Sequence, residues 1–239
     1  MIKYYNIAGL NIQMDTFGKT LVHALPYITN KREPVDIAIE PKKDDIRNNW
    51  PSLSEDMIEY LSTERDFYNK LLDFNGMRLH SSAIVVENKA YLFSASSGMG
   101  KSTHTKLWLD IFGKDAQILN DDKPAIRNEN GIWFAYGTPW SGKYNISINK
   151  KVPIAGIAMI ERGINNEIFL FSGKKAFEEV YKQVNRPKPT SARIKLMDLL
   201  VKLFDEVPVW KLKCNMEREA AIVSYEAMSG KKYKEYEHV

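Results

Sequence analysis

The stretch Ser94-Ala95-Ser96-Ser97-Gly98-Met99-Gly100-Lys101-Ser102-Thr103 decides how the rest of this chain is read. Its second half, Gly100-Lys101-Ser102, completes the phosphate-loop pattern G-x-x-x-x-G-K-[S/T], with Ala95 standing where that pattern has its first glycine. Alanine is small but less free in its backbone dihedrals than glycine. The physical logic survives the change. Consecutive backbone N–H groups over Gly98–Ser102 converge on a triphosphate, and a helix that follows points its positive end at the same place. Ser97, Gly98, Met99, Gly100, Lys101, Ser102 and Thr103 are therefore the candidate nucleotide ligands. Lys101 reaches for the terminal phosphates, and the Ser102 hydroxyl is a candidate Mg²⁺ ligand.

The flanking sequence supports that reading. Ser82–Val86 and Ala90–Ser94 are apolar runs separated by Glu87-Asn88-Lys89, a hairpin signal leading into the loop. A helix is expected from Lys101 to Phe112, stopped by Gly113. Gln117–Leu119 reads as a short buried strand ending in Asn120-Asp121-Asp122-Lys123. Adjacent carboxylates beside a phosphate loop suit metal binding and proton abstraction from an attacking hydroxyl. Of Asp121 and Asp122, one can sit on the metal with Ser102 while the other, its pKa expected to be raised by its neighbour, acts as base. His80, where the strand pair begins, is placed to orient that carboxylate, whereas His104 is expected on the helix surface. In Gly137-Thr138-Pro139-Trp140-Ser141-Gly142-Lys143, Trp140 offers a stacking face and Lys143 a cation. Arg162, after an apolar strand, offers a bidentate contact to phosphate.

Elsewhere, Lys3–Ile7 and Leu10–Met14 around an Ala-Gly turn read as a hairpin, Val35–Ile39 as a strand, and Lys42–Ser54 as an exposed connection. Ser54 caps a short helix over Glu55–Ser62. Asn128–Gly131 is a turn between the runs Ala125–Arg127 and Ile132–Tyr136, and Pro153–Ile160 is apolar enough for a central strand. After the break at Pro187 and Pro189, Met197, Leu200, Val201 and Phe204 recur at helical spacing. A strand over Val207–Leu212 and a helix over Glu217–Met228 ended by Gly230 complete the chain.

Composition narrows the class. A chain of 239 residues with 34 basic and 30 acidic side chains has a net charge of +4, so nothing calls for a nucleic-acid partner. With 44% hydrophobic and 27% charged residues the chain has enough apolar content for a sizeable core. No run approaches the roughly 20 apolar residues that span a bilayer, and the segment MIKYYNIAGLNIQMD lacks a signal-peptide core. A cytoplasmic protein that contacts neither membrane nor nucleic acid is expected. One cysteine, Cys214, excludes an internal disulfide and a multi-cysteine zinc site.

The order His80, then Ser97–Ser102, then Asp121-Asp122 resembles the HPr kinase/phosphorylase catalytic domain and its distant relatives, the ATP-dependent phosphoenolpyruvate carboxykinases. The resemblance covers Leu79–Ile126 well and extends loosely to Ile160. The aspartates follow slightly later than in the family, as if by a short insertion around Trp108–Lys114. Ala95 and Ser96 replace a Gly and an Asp of the family loop. The acidic L-E-x-R-G-type signature has no match, Glu161 and Arg162 being the nearest residues. The resemblance implies an α/β fold whose carboxykinase-like P-loop core is a mixed β-sandwich flanked by helices. The expected organisation is a small β-rich region over 1–75 and a kinase-like nucleotide-binding catalytic domain over 76–239. It also implies Mg²⁺-dependent transfer of the γ-phosphoryl group of ATP to a hydroxyl, serine first among them. The acceptor is a small molecule or peptide, as in the smaller paralogues found with peptide-modification gene sets. By the same resemblance Lys101 binds phosphate, Ser102 and Asp121 hold the metal, Asp122 is the base and His80 supports it. HPr kinases are hexameric, so a homo-oligomer is allowed. The alternative reading is a non-catalytic nucleotide-binding regulatory module.

Overall fold

The structure, a computed structural model, describes residues 2–234, so residues 235–239 of the second region lie outside the described residues. It is a mixed α/β fold, and among the described residues it has seven α-helices around a curled β-sheet and a smaller three-stranded sheet.

The small sheet begins with β1 (Lys3–Ile7) and β2 (Leu10–Met14), antiparallel as their alternation predicts. Ala8 and Gly9 take the turn with φ of 53° and 75°, the left-handed pair that a two-residue hairpin requires. The run at 35–39 shrinks to β3 (Ile37–Ala38), parallel to β2. Helix α1 (Gly18–Ala24) follows β2 in sequence.

Two expectations for the next segment are corrected. The connection over 42–54 contains a helix, α2 (Lys43–Asn49). Asp44 and Asp45 favour its first turn, and Arg47 pairs with Asp44 and Glu55. Only Ile46 is buried, so no apolar period advertises it. The helix after Ser54 runs on to Leu71 as α3 (Glu55–Leu71). Ser54 Oγ accepts from Met57 N as its cap, and Phe67, Tyr68 and Leu71 extend the buried face beyond Ser62.

The large sheet runs from β4 (Gly76–Arg78) through β5 (Ser81–Val86), β6 (Lys89–Ser94), β7 (Ala116–Asp122), β8 (Ala125–Glu129) and β9 (Ile132–Tyr136) to β10 (Lys151–Arg162). Later come β11 (Glu167–Leu170) and β12 (Val209–Cys214). β10 makes the sheet curl. Its start, Lys151–Pro153, pairs antiparallel with β9, and its end, Ile157–Arg162, pairs parallel with β12. On its other edge β10 lies parallel to β6, with a register shift between Ile154 and Gly156. One strand thus belongs to two wings, and both contribute to a single core that includes Leu92, Leu119, Ile126, Trp133 and Ile157.

Helix α6 (Thr190–Glu206) closes that core, but not with the face expected. Leu196, Leu199, Leu200 and Leu203 are buried, whereas Met197 and Val201 are exposed. The leucines form an i, i+3, i+4, i+7 stripe one residue out of step with the expected one, and the two share Leu200. Helices α4 (Lys101–Phe112) and α7 (Arg218–Ser229) cover the opposite face of β5, β6, β10 and β12. Helix α5 (Gly173–Tyr181) packs beside α6. Among the described residues, no helix is long and apolar enough to cross a membrane.

Candidate active site

Strand register assembles the site. Ser81 pairs with Ser94 on one side and with Asp122 on the other. The start of β5 and the ends of β6 and β7 therefore share one edge of the sheet. The ends of β10 and β12 lie on that edge too, since both run parallel to β6. This is where an open sheet offers its loops and helix N-termini to a ligand.

Between β6 and α4 the chain turns through Gly98 and Gly100, at φ of 76° and 104°. Neither position would bring a Cβ within 4 Å of a neighbour. The requirement is conformational, not spatial, and an L-residue would cost about 1–2 kcal/mol at each. Gly100 is the N-cap of α4, so the N–H groups of its first turn face out of the helix as its positive end. Thr105 Oγ1, 3.0 Å from Ser82 Oγ, fastens that turn to β5.

Lys101 is buried and donates to the Ala95 carbonyl at 3.0 Å. Burial pulls its pKa below the ordinary lysine value, against the opposing pull of Asp122 and Asp121. Ser102 Oγ donates to both Asp121 carboxylate oxygens, at 2.9 and 3.1 Å. Gly98, Gly100, Lys101, Ser102, Asp121 and Asp122, with Ser97 and Thr103, line one cavity of 310 Å³. Gly142, Lys143 and Tyr144 close its far side. A larger cleft of 800 Å³, at the opposite end of α4, holds neither the loop glycines nor the paired carboxylates.

The carboxylate turn is tightly specified. The short strand expected at 117–119 continues to Asp122, bulging where Ala83 and Ile84 face Asn120 and Ile118. Buried Asn120 takes the Lys123 N–H on its Oδ1 at 2.8 Å. Through its amide group it donates to the Trp140 carbonyl and Ser147 Oγ, both at 3.0 Å. Asp122 is left at φ 98°, a conformation few non-glycine residues hold without support from their surroundings.

His80 supplies part of that support. Its Nε2 lies 2.9 Å from Asp122 Oδ1. Its Nδ1 lies 3.0 Å from Gln183 Oε1, and its backbone N–H donates to the Gln183 carbonyl. The expected rise in the Asp122 pKa is corrected. Burial does push this carboxyl up, but the His80 hydrogen bond and charge, with the Lys123 and Lys101 ammonium groups, outweigh it and hold it below the ordinary value. The sign reverses because these cationic groups outweigh both burial and any like-charge effect of Asp121.

Two other side chains differ from expectation. Trp140 offers no stacking face to a ligand. It is fully buried, stacked on Phe67 at 4.9 Å, and its indole N–H donates to Thr63 Oγ1. The loop's position comes instead from α3, whose Tyr60 hydroxyl accepts from Ser141 N at 2.8 Å. His104 is buried rather than on the surface, 2.9 Å from Ser224 Oγ of α7. Arg162 donates to the Gly98 carbonyl at 2.8 Å, so the structure sets it against the loop backbone. Glu161, the neighbour nearest to the family's acidic signature, is paired with Lys211 at 3.0 Å.

Asn120, Gly142 and Gln183 escaped the sequence reading as site residues. Gly142 carries a usable signal, since a glycine marks close backbone approach. Its N–H donates to the Asp121 carbonyl, and a Cβ there would meet that carbonyl and the Asp122 Cβ at 3.2 Å.

No family model matches the sequence, and no curated protein matches it. A solved structure of the Hpr(Ser) kinase/phosphatase from Coxiella burnetii aligns with 64% of this chain and 95% of its own, at 10% sequence identity and a TM-score of 0.35.

Proposed function

We propose that this protein is a Mg²⁺-dependent kinase that transfers the γ-phosphoryl group of ATP to a hydroxyl, foremost a serine hydroxyl, of a small molecule or peptide. One observation carries the reading. Lys101, Ser102, Asp121 and the His80-supported Asp122 meet around one cavity at the mouth of a left-handed glycine loop. A triphosphate-binding loop alone needs no carboxylate held at φ 98° by a histidine. A hydroxyl donor does.

Ser102 and Asp121 fit the metal. They offer hard oxygen donors already within hydrogen-bond distance, and among the described residues no three-residue His/Cys/Asp/Glu cage competes with them. Mg²⁺ suits such a site, taking one or two protein oxygens and completing its shell with phosphate and water. Bound there, it would neutralise charge on the phosphates. Lys101 would exchange its Ala95 carbonyl for a phosphate oxygen. Asp122 would orient the acceptor hydroxyl and take its proton as the oxygen bonds to Pγ and the bond from Pγ to the ADP oxygen breaks. A strong base is not required, because in a loose phosphoryl-transfer transition state the attacking oxygen has bonded little to phosphorus. The lowered Asp122 pKa suits that role, keeping the carboxylate ionised at neutral pH. The two β wings sharing one core support the finer reading of a carboxykinase-like P-loop sandwich; residues 1–75, expected to be β-rich, instead add three short strands and the three helices α1, α2 and α3.

Incubation with Mg²⁺ and γ-labelled ATP, over free serine, serine peptides and HPr-like proteins, tests the activity. Label in an acceptor is expected. Tight nucleotide binding with no transfer to any acceptor would instead establish the regulatory module.

Gln183 is a positioning residue within this reading. Its Gln183→Leu variant is expected to lower kcat about tenfold while leaving the KM for ATP unchanged. Gln183→Glu, which can still accept from Nδ1, should recover most of the rate. A parallel rise in KM would make the residue structural only.

A further inference from the structure

The 800 Å³ cleft at the far end of α4 has no part in the phosphate site. It opens between the β5–β6 turn, the start of β7 and the residues that follow α7. Lys114, Lys150, Lys231, Lys232 and Lys234 line it, against the carboxylates of Glu87 and Asp115. Lys231 is paired with Glu87, and Lys232 with Glu226 at 2.9 Å. Among the described residues no ion pair engages the ammonium groups of Lys114, Lys150 and Lys234, all three exposed. A concave surface with surplus cations of one sign draws anions to itself. Phe112, Tyr225 and Tyr233, packed edge to face, add apolar wall.

Two features say what kind of anion fits. β7 is the outer strand of its sheet, with β5 on its inner side. Over Leu119–Asp121 its outer edge is taken up by residues 146–148. Over Ala116 and Gln117, which line the cleft, no backbone hydrogen bond among the described residues reaches that edge. An unpaired strand edge accepts another extended backbone, which a peptide has and a nucleic acid or a lipid headgroup lacks. The second feature is a route. Lys150 lines this cleft, while Lys143 and Tyr144 of the same segment line the phosphate cavity. Along that segment Tyr144 and Ile146 are 71% and 38% exposed, so large apolar groups face outward between the two sites.

We infer that this cleft docks an acidic segment of the peptide that carries the acceptor hydroxyl. The segment extends along the open edge of β7 with its carboxylates on Lys114, Lys150 and Lys234, and the rest of the peptide runs over Ile146 and Tyr144 to Asp122. That the docked segment belongs to the acceptor rests on the transfer reading above; the docking itself does not. The spacing follows from the strand. From Gln117 to Asp122, at roughly 3.3 Å per residue, is about 17 Å, so about five or six extended residues separate the acidic segment from the hydroxyl.

The test uses fluorescein-labelled peptides in which roughly four glutamates and one serine stand about six residues apart, in both orders, and matched peptides with glutamine for glutamate. Fluorescence anisotropy on the full chain should show the glutamate peptide of one order binding at least about tenfold tighter than its glutamine match. The double variant Lys114→Glu, Lys150→Glu changes two exposed side chains outside the phosphate site, and it should abolish that preference. With γ-labelled ATP, the same variant should raise the KM for the glutamate peptide about tenfold and leave kcat, and transfer to free serine, unchanged. Equal binding of glutamate and glutamine peptides, or a preference indifferent to the two lysines, would overturn the docking site and leave the transfer reading standing. Duplex DNA or phosphatidylserine vesicles held through these lysines while the glutamate peptide fails to bind would overturn it as well. A docked glutamate peptide with no label in any acceptor would uphold the docking surface and sink the transfer reading.

Discussion

An Asp122→Asn variant should bind ATP about as tightly as the natural chain and lose phosphoryl transfer by roughly 10³-fold or more, the scale of a lost general base. Asparagine is the informative replacement because it isolates the proton acceptor from the backbone. At φ 98° most side chains would be strained, and asparagine is among the residues that tolerate positive φ best. Its amide oxygen can still accept from His80 Nε2, now 2.9 Å from Asp122 Oδ1, so the turn should hold. Asp121→Asn makes the contrast. It leaves Ser102 Oγ a single neutral amide oxygen to donate to in place of two carboxylate oxygens, and by removing the charge should raise the Mg²⁺ concentration needed for half-maximal rate more than it lowers the rate at saturation. Single-turnover assays with γ-labelled ATP across a Mg²⁺ series separate the two. Transfer by Asp122→Asn within tenfold of the natural rate would remove the assigned base. Matching Mg²⁺ dependence in both variants would remove the division of labour.

How much of this site could be read in advance follows from how local each determinant is. The loop, α4 and the β5–β6 hairpin are written in short-range chemistry. Gly98 and Gly100 meet positive φ, Gly113 stops the helix, and Glu87-Asn88 take the hairpin turn at φ of 51° and 57°. The carboxylate pair and His80 were legible as residue types, and only strand register brings Ser81 opposite Asp122. What stayed hidden depends on partners distant in sequence. Gln183 reaches His80 because Leu79 bridges to Val184, which no local pattern announces. Trp140 invited a ligand-stacking role from its glycine-rich surroundings, yet Phe67 and Thr63 of α3 claim both its face and its N–H. The Asp122 pKa went the wrong way for the same reason, since His80, Lys101 and Lys123 act together only in the folded chain. The misplaced His104 had a readable clue, because Trp108 and Ile111 continue its stripe at i+4 and i+7 and all three are buried.

That burial makes His104 the source of a second large effect, on stability. Desolvation in the core holds its pKa down to about 3 against an ordinary 6.5. Its place in the first turn of α4 also sets it near the positive end of the helix. A histidine with a depressed folded pKa stabilises the fold above its unfolded pKa. As pH falls below about 6.5 the unfolded chain takes up the proton and the folded chain does not, so stability drops by about 1.4 kcal/mol per pH unit until the folded pKa is reached. Between pH 6.5 and 5 this one side chain should remove about 2 kcal/mol, while carboxylates with ordinary or lowered pKa values remain largely ionised. His104→Gln keeps a polar group within reach of Ser224 and Trp108 but does not titrate. Urea unfolding of both proteins at pH 7 and pH 5 should show the variant losing about 2 kcal/mol less over that interval. Equal losses would mean that His104 protonates in the folded state. The consequence reaches the chemistry, because His104 fastens α4 to α7 through Ser224 and the same helix carries Lys101 and Ser102 at its start. Acid that unfolds this junction dismantles the phosphate loop before it protonates Asp122, whose pKa lies below the ordinary carboxylate value. Loss of transfer on acidification should therefore follow the unfolding curve of the natural chain and shift to lower pH in His104→Gln.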